Sequence, residues 1–212
     1  MAHLLEEYAK NLGVKISDSP VVKDHFFPVE FPKYITIGQE TLTESKIYPY
    51  YSIVINLLRP FLQRAQIKII QLGGNVAVNG VDAALNLPFK QQAYVISKSL
   101  VHVGVDGALN HLSSSKNIPT VTIFGNTLES ANKPLFARSS STNVNLTPTW
   151  EKKPCFAPTD PKKQIANINA ETIAQSILDF LNIEKEDINF FTQYVGQSFG
   201  QETVEVVPTS FA

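Results

Sequence analysis

The sequence predicts an α/β fold: a Rossmann-like, doubly wound parallel sheet with helices on both faces. Short segments rich in β-branched and aromatic residues alternate with stretches of helical periodicity, which is the pattern of a parallel sheet with crossover helices. The 212 residues suit one or two domains, and a hydrophobic content of 43% is enough for a core. Because such sheets bind ligands beyond the carboxyl ends of their strands, we expect a site in the loops after Gly38, Leu72, Gly104 and Phe124.

Residues 1–32 are predicted to be a connector helix and a linker. A helix over residues 2–12 would place four apolar side chains on one face, namely Leu4, Leu5, Tyr8 and Leu12. Gly13 stands where a C′ glycine ends a helix. Residues 16–32 carry three prolines and no sustained period, which indicates an irregular connection.

Residues 33–183 are predicted to form the α/β unit itself. Strands are expected over residues 33–38, 67–74, 100–104 and 119–125. Helices are expected over 49–63, 88–98, 107–115 and 169–183, with Asn169 available as an N-cap. Pro60 would kink or shorten the first of these helices. Residues 75–87 are ambiguous, and residues 126–168 are expected to be a loop.

Residues 184–212 are predicted to be a tail, in which "TVEVVP" has the composition of a strand. Two interpretations stay open for this strand. It is an edge strand of the α/β unit, or it is the start of a further unit.

The composition excludes several classes of protein. A net charge of −1 gives no electrostatic footprint for nucleic acid. The lone Cys155 forms no internal disulfide and fits a reducing compartment. The longest uncharged apolar run, residues 48–58, is shorter than the roughly 20 residues of a membrane span. Glu6 and Glu7 do not suit a secretion signal, so we expect a cytoplasmic protein without a transmembrane segment. Four scattered histidines lack the spacing of a zinc site, so no bound metal is expected.

The first candidate site is the segment "VDGALNH", at the junction of a strand and a helix. The first turn of a helix exposes unpaired N–H groups and a partial positive charge, which together attract anions. The small Gly107 and Ala108 would let a phosphate approach the backbone. Asp106 could cap the helix, and His111 would lie one turn further on, facing roughly the same way. The alternative is structural, with Asp106 a simple N-cap and His111 a half-buried histidine.

The second candidate site is the segment "TLTESKIYP", after the strand that ends at Gly38. Thr41, Thr43 and Ser45 offer hydroxyl groups, and Lys46 offers a cation that could reach a phosphate. The alternative is an ordinary solvated loop that supplies a cap for the following helix.

Residues 101–127 resemble the donor-side motif of the heptosyltransferase-like family of glycosyltransferases. That motif has a strand, an Asp, a hydroxyl residue, a Gly, a His-Leu pair, a short helix, and a strand that begins at Pro and ends at Phe-Gly. Six residues match in identity and spacing, namely Asp106, His111, Leu112, Pro119, Phe124 and Gly125. Gly107 and Ala108 depart from the motif, which usually has the hydroxyl residue and then Gly.

A second match lies upstream, where "SKIYPYY" is similar to the Lys-x-Trp-Pro segment of the same family. Lys46 and Pro49 match, Tyr48 replaces the tryptophan, and Thr41 stands where the family often has a phosphate-binding hydroxyl. "IIQLGG" resembles the strand and glycine pair that follow, but the acidic residue expected next is absent at positions 75 and 76. The resemblance covers roughly residues 33–183.

The resemblance implies the donor-binding half of a GT-B enzyme, which transfers a sugar from a nucleoside diphosphate without a metal or another cofactor. Lys46 and the amides around Gly107 and Ala108 would then bind the diphosphate. Thr41 and Asp106 would assist, and His111 would lie near the phosphate or the sugar. The acceptor would be a glycan or a lipid-linked glycan.

In the family a preceding acceptor domain supplies the general base, and no domain of about 150 residues fits before residue 33. The resemblance therefore implies a donor half that needs a partner chain or a longer polypeptide. A non-catalytic nucleotide- or sugar-binding module with the same fold is the alternative. A nucleotide-sugar epimerase lacks a supporting carboxylate pair, and a dehydrogenase lacks the glycine loop after the first strand.

Overall fold

The computed structural model describes residues 2–16, 22–39, 43–74, 76–136, 142–148, 164–183, 190–195 and 203–208. The helices are α1 (Leu4–Leu12), α2 (Tyr51–Arg64), α3 (Phe89–Ser97), α4 (Ala108–Ser115), α5 (Glu129–Asn132) and α6 (Ala170–Leu181). The strands are β1 (Tyr34–Gly38), β2 (Lys68–Leu72), β3 (Ala83–Leu85), β4 (His102–Val105), β5 (Thr120–Ile123), β6 (Asn143–Leu146), β7 (Phe190–Val195) and β8 (Thr203–Pro208). Short 3₁₀ turns lie at Glu44–Lys46 and Gln164–Asn167.

Strands β1 to β6 form one parallel sheet in the order β3-β2-β1-β4-β5-β6. The predicted doubly wound fold is therefore confirmed. The strand order reverses between β1 and β4, where Gly38 is in register with Gly104. In open α/β sheets the carboxyl edge at this switch point is the usual place for a ligand.

The face of the sheet that packs against α2 and α6 is apolar. Alternate residues of the central strands point to it, including Ile37, Val103 and Ile123, and all three are fully buried. Helix α2 contributes Leu58 and α6 contributes Ile177 to the same cluster. The hydrophobic effect is proportional to the buried apolar area and has no preferred direction. This face therefore drives folding without specifying the orientation of a helix.

The opposite face, which packs against α3 and α4, is divided. Beside α3 it is apolar, with Tyr34, Ile70 and Leu72 on the sheet side. Beneath α4 the sheet presents a different set of buried residues, namely Thr36, Gly38, His102, Gly104, Thr120 and Thr122. Helix α4 contributes the buried Asn110 and Ser113 to this polar layer.

Three of the expectations for the α/β unit need correction. The ambiguous residues 75–87 include the edge strand β3, whose three residues are too few to show a period. The expected loop over 126–168 includes the short α5 and the edge strand β6. Pro60 does not shorten α2, which continues to Arg64. Asn169 does occupy the N-cap position of α6, but its side chain makes no capping hydrogen bond.

The connector helix α1 ends as predicted, since Gly13 is the C-cap in the left-handed conformation with φ 66°. Its apolar stripe is not buried, however. Leu4, Tyr8 and Leu12 are 44%, 54% and 75% exposed, and Ala9 is the buried residue of the helix. Leu4 and Leu5 line a cavity shared with α4 and α5, whereas Tyr8 and Leu12 are the most exposed members of the stripe.

The tail contains the predicted strand at 203–208, as β8. It pairs antiparallel with β7 in a separate two-stranded sheet. Among the described residues β8 pairs with no strand of the six-stranded sheet, which does not support the edge-strand interpretation, and the start of a further unit stays a prediction. The backbone pairs locally across the hairpin instead.

Candidate functional site

Two charged side chains meet at the switch point. Lys46 lies in the 3₁₀ turn that follows β1, and Asp106 follows β4 directly. The ammonium Nζ of Lys46 lies 2.9 Å from Oδ2 of Asp106 and donates to its backbone carbonyl at 3.1 Å. The side chains are 21% and 7% exposed, so this ion pair is partly buried. The sequence had suggested a solvated loop lysine, and the fold instead turns Lys46 inward across the sheet edge.

Asp106 does not cap α4, contrary to the expectation. Gly107 is the N-cap, with an extended backbone at φ −177°, and no side chain caps the helix. The carboxylate of Asp106 instead accepts hydrogen bonds from Lys46 and from Thr127 Oγ1, the latter at 2.7 Å. The physical reason is competition, since a nearby cation and hydroxyl bind a carboxylate more strongly than a neutral amide does.

The start of α4 is open to a ligand. Within the described residues, no acceptor pairs with the N–H groups of Ala108 and Leu109, the first two residues of the helix. Ala108 is exposed and Gly107 is partly exposed. These unpaired donors and the helix dipole favour an anion at this end of α4. The cation of Lys46 contacts Asp106, which precedes Ala108 by two residues and Leu109 by three.

Side-chain hydrogen bonds hold α4 in this position. The buried Asn110 donates through Nδ2 to the Gly104 carbonyl at 3.1 Å and to Thr122 Oγ1 at 2.9 Å. Gly104 permits this approach, since a Cβ there would lie 2.5 Å from Asn110 Oδ1. A buried amide that satisfies partners on two strands fixes both the distance and the direction of the helix.

His102 lies in the same layer, directly beneath the switch point. Its Nδ1 is 2.9 Å from Thr36 Oγ1, whereas its Nε2 makes no hydrogen bond of acceptable geometry among the described residues. Burial lowers the pKa of His102 to about 4, and the neighbouring Asn110 amide opposes this shift. The side chain is therefore neutral at physiological pH and contributes polarity without charge.

His111 lies one turn into α4, as predicted, and is half-buried. Burial lowers its pKa, the Asp106 carboxylate opposes the shift, and the neighbouring His3 and the Lys46 ammonium add to it. His111 also lines an apolar cavity of about 380 Å³ between α1, α4 and α5, together with Leu4, Ala108 and Phe136. It therefore stands between the ion pair and this cavity, available as a neutral hydrogen-bonding group.

The sequence interpretation missed two polar residues of the site, Asn126 and Thr127. Both are buried in the turn after β5, and Asn126 Nδ2 donates to Ser45 Oγ at 2.7 Å. A signal was present, because two polar residues directly follow the buried Phe124 and Gly125 at the carboxyl end of a strand. Polar groups at that edge are candidates for a site in a doubly wound sheet.

Thr41, the remaining candidate, lies outside the described residues, as does Asn75 beside the glycine pair. Gly73 and Gly74 follow β2 in a turn with φ of 68° and 85°, which explains why glycine is used there. Among the residues that the structure describes, no group of three or more His, Cys, Asp or Glu side chains could hold a metal ion. No helix in that part of the chain has the length and apolar character required to cross a bilayer.

Comparison with known proteins agrees with this architecture. Residues 24–166 match the model of glycosyltransferase family 9 (heptosyltransferase). E. coli heptosyltransferase WaaC with ADP is similar in structure, with 18% sequence identity, a TM-score of 0.52, and coverage of 82% of this chain and 54% of that one. Dodecameric iron-containing heptosyltransferase TibC, in complex with ADP-D-beta-D-heptose, has 17% identity, a TM-score of 0.59, and coverage of 81% and 51%. No curated protein matches the sequence.

A family 9 glycosyltransferase from Veillonella parvula is also similar, with 13% identity, a TM-score of 0.52, and coverage of 84% of this chain and 50% of that one. The chain thus spans about half the length of these solved structures. At such low identity the likeness shows the fold, which is the Rossmann-like half of a GT-B glycosyltransferase. The family match covers well over half of the chain and carries the assignment. The chain belongs to glycosyltransferase family 9.

Proposed function

We propose that this chain binds a nucleoside-diphosphate sugar at the switch point and serves as the donor half of a glycosyltransferase. One observation carries the proposal: the Lys46 cation and the unpaired amides of α4 meet at the carboxyl edge between β1 and β4. A diphosphate has the charge and the acceptor oxygens that this combination of donors would bind.

The ion pair gives the proposed site a defined free state. In the free protein Asp106 neutralises Lys46, so a buried cation is not left unpaired. A diphosphate carries more charge than one carboxylate and would draw the ammonium toward itself. As the sugar leaves, negative charge grows on the departing diphosphate, and Lys46 with the α4 amides would stabilise it. Thr41 would add a hydroxyl donor, and His111 would face the phosphate or the sugar.

The donor unit in this proposal is residues 33–183, and the general base comes from an acceptor half. In the family a preceding acceptor half supplies that base, so we propose that transfer to a glycan or a lipid-linked glycan requires this second half. The exposed stripe of Leu4, Tyr8 and Leu12 on α1 supports this, because apolar rows of this kind are typical of contact surfaces. A partner chain or another part of a longer polypeptide would cover it.

ADP is the first nucleotide to test, because two of the similar structures contain ADP or an ADP-sugar. We propose that binding needs no metal. One of those structures is described as iron-containing. The test should therefore be run both with a chelator and with added Fe²⁺ or Mg²⁺.

A non-catalytic nucleotide-binding module is the second candidate function. The observation that favours it is the loss of functional groups, since Gly107 replaces a hydroxyl residue and Val76 follows the glycine pair where a carboxylate is expected. This candidate predicts nucleotide binding without transfer or donor hydrolysis when an acceptor-domain protein is added.

The deciding experiment is thermal unfolding of the chain with ADP-, GDP-, UDP-, CMP- and dTDP-linked sugars. A ligand at 100 times its dissociation constant should stabilise the fold by about 2.7 kcal/mol. We expect one nucleotide class to raise the midpoint and Lys46→Ala to abolish the rise. Lys68→Ala is the matched control, because Lys68 pairs with Asp82 at the same 2.9 Å distance but at the amino end of β2. Absence of any shift from the folded wild type would refute the proposed function.

A further inference from the structure

We propose that Asn126 and Thr127 are positioning residues of this site, which hold Lys46 and Asp106 together across the switch point. The inference rests on the proposed function and adds the turn at residues 125–127 to it. Neither residue belongs to the candidate set that the strand ends after β1 and β4 supply. Both are buried, Asn126 at 4% and Thr127 at 6% exposure, so neither is an ordinary surface loop residue.

Thr127 acts on the carboxylate. Its Oγ1 donates to Oδ2 of Asp106 at 2.7 Å, and Lys46 Nζ binds that same oxygen at 2.9 Å. One carboxylate oxygen therefore receives a neutral donor and a charged donor together. The hydroxyl withdraws part of the negative charge that Asp106 would otherwise direct entirely at the lysine. Lys46 is thereby left more available to a third, anionic partner.

Asn126 acts on the other side of the pair. Its Nδ2 donates to the hydroxyl of Ser45 at 2.7 Å, and Ser45 directly precedes Lys46 in the 3₁₀ turn. Ser45 is itself buried at 2% exposure. Asn126 keeps this contact although its Oδ1 accepts no hydrogen bond among the described residues. A buried oxygen without a hydrogen-bond partner lowers stability. We infer that the contact between Asn126 and Ser45 offsets this loss.

The turn itself is rigidly placed. A Cβ on Gly125 would lie 2.6 Å from Cβ of Ile165, so only glycine lets the 3₁₀ turn at Gln164–Asn167 pack there. Residues 125–127 are thus fixed by the core from one side and bonded to the ion pair on the other. Lys46, from the segment after β1, and Thr127, from the turn after β5, consequently both bind one carboxylate oxygen of Asp106, which follows β4.

The test is ADP binding, measured by titration calorimetry, to the wild type and to Thr127→Val. We expect Thr127→Val to weaken ADP binding about tenfold, the size expected for losing one hydrogen bond to a charged group. Thr127→Ser keeps the hydroxyl and should recover most of the affinity. Ser176→Ala is the matched control, because Ser176 is a buried hydroxyl residue on α6, where it donates to the Thr172 carbonyl at 2.8 Å and does not contact α4 or the ion pair. It removes one buried hydroxyl and should leave the affinity for ADP unchanged.

A double variant separates positioning from direct contact. If Thr127 acts through Asp106, Thr127→Val should have no further effect in an Asp106→Ala background. An equal loss in both backgrounds would mean that Thr127 touches the nucleotide itself and would overturn the positioning role. If the wild type binds ADP and Thr127→Val binds it with the same affinity, the inference is overturned and the proposed function stands. A folded wild type that binds none of the nucleotides would remove both.

If Thr127→Val does not fold, Asn126→Ala gives the second measurement. It releases Ser45, so we expect weaker ADP binding, and this weakening should be absent in a Ser45→Ala background. Binding equal to that of the wild type would then overturn the proposal.

Discussion

The two faces of the central sheet are built from different chemistry. The α2 and α6 face is mainly hydrocarbon, whereas the sheet beneath α4 presents threonine, histidine and glycine, which face Asn110 and Ser113 of the helix. The apolar face stabilises the fold through buried area, which has no directional preference. The polar face fixes one helix by directional bonds. The difference indicates that the position of the α4 N-terminus, which the proposed site requires, depends on directional hydrogen bonds in addition to the buried area of Leu109 and Leu112.

The largest effect should come from the apolar face. Leu58→Ala removes a fully buried side chain of α2 and should lower the free energy of unfolding by roughly 2–5 kcal/mol. Chemical denaturation measures this loss. The affinity of the remaining folded protein for ADP should not change. A loss of ADP affinity in Leu58→Ala would contradict the proposed difference between the two faces of the sheet.

The buried histidine of the polar face gives the next effect, as a dependence on pH. Burial lowers the pKa of His102 in the folded protein to about 4, below the ordinary value of 6.5, so the unfolded chain takes up the proton first as the pH falls. The neutral His102 therefore contributes its full share to the free energy of unfolding above pH 6.5. As the pH falls from 6.5 toward 4, the free energy of unfolding decreases by about 3 kcal/mol. Denaturation of wild type and His102→Gln at several pH values checks this. Parallel pH profiles would refute the assignment to His102.

The anchor of α4 comes third. Asn110→Ala removes donors from the Gly104 carbonyl and from Thr122, and should cost about 2 kcal/mol in stability. Unlike Leu58→Ala, it should also weaken ADP binding, because the amides of α4 lose their fixed position. Calorimetric titration under conditions where both variants are folded makes the comparison. Equal ADP affinity in the two variants would mean that hydrogen bonds do not position α4.

The smallest effect is expected at the rim of the polar face. Lys116 pairs with Asp24 of the connector at 2.8 Å, and its hydrogen bond is the main cause of the lowered pKa of that carboxyl. Both side chains are partly solvated, so Lys116→Met should change the free energy of unfolding by less than about 1 kcal/mol. Denaturation in low and high salt measures it. A larger, salt-independent loss would show that the connector contributes to holding α4.

Much of the fold was predictable because it depends on local patterns. The strands at Tyr34–Gly38, Lys68–Leu72, His102–Val105 and Thr120–Ile123 were found from β-branched and aromatic composition, and α6 from its apolar stripe. The edge strands β3 and β6 were not found, because three or four residues at a sheet edge carry no distinct period. The pairing of β8 with β7 was also hidden, since a strand's composition does not name its partner.

The candidate site was also predictable only in part. The sequence by itself determined the family motif, the parallel sheet, the loops that would carry Lys46 and Asp106, and the helix that would carry His111, because residue types and spacings express all of these. Only the tertiary structure decided that Asp106 binds Lys46 and Thr127 instead of capping α4. The physical reason is that a carboxylate binds the strongest donors within reach. Which donors are within reach depends on strands that are distant in sequence and adjacent in the sheet.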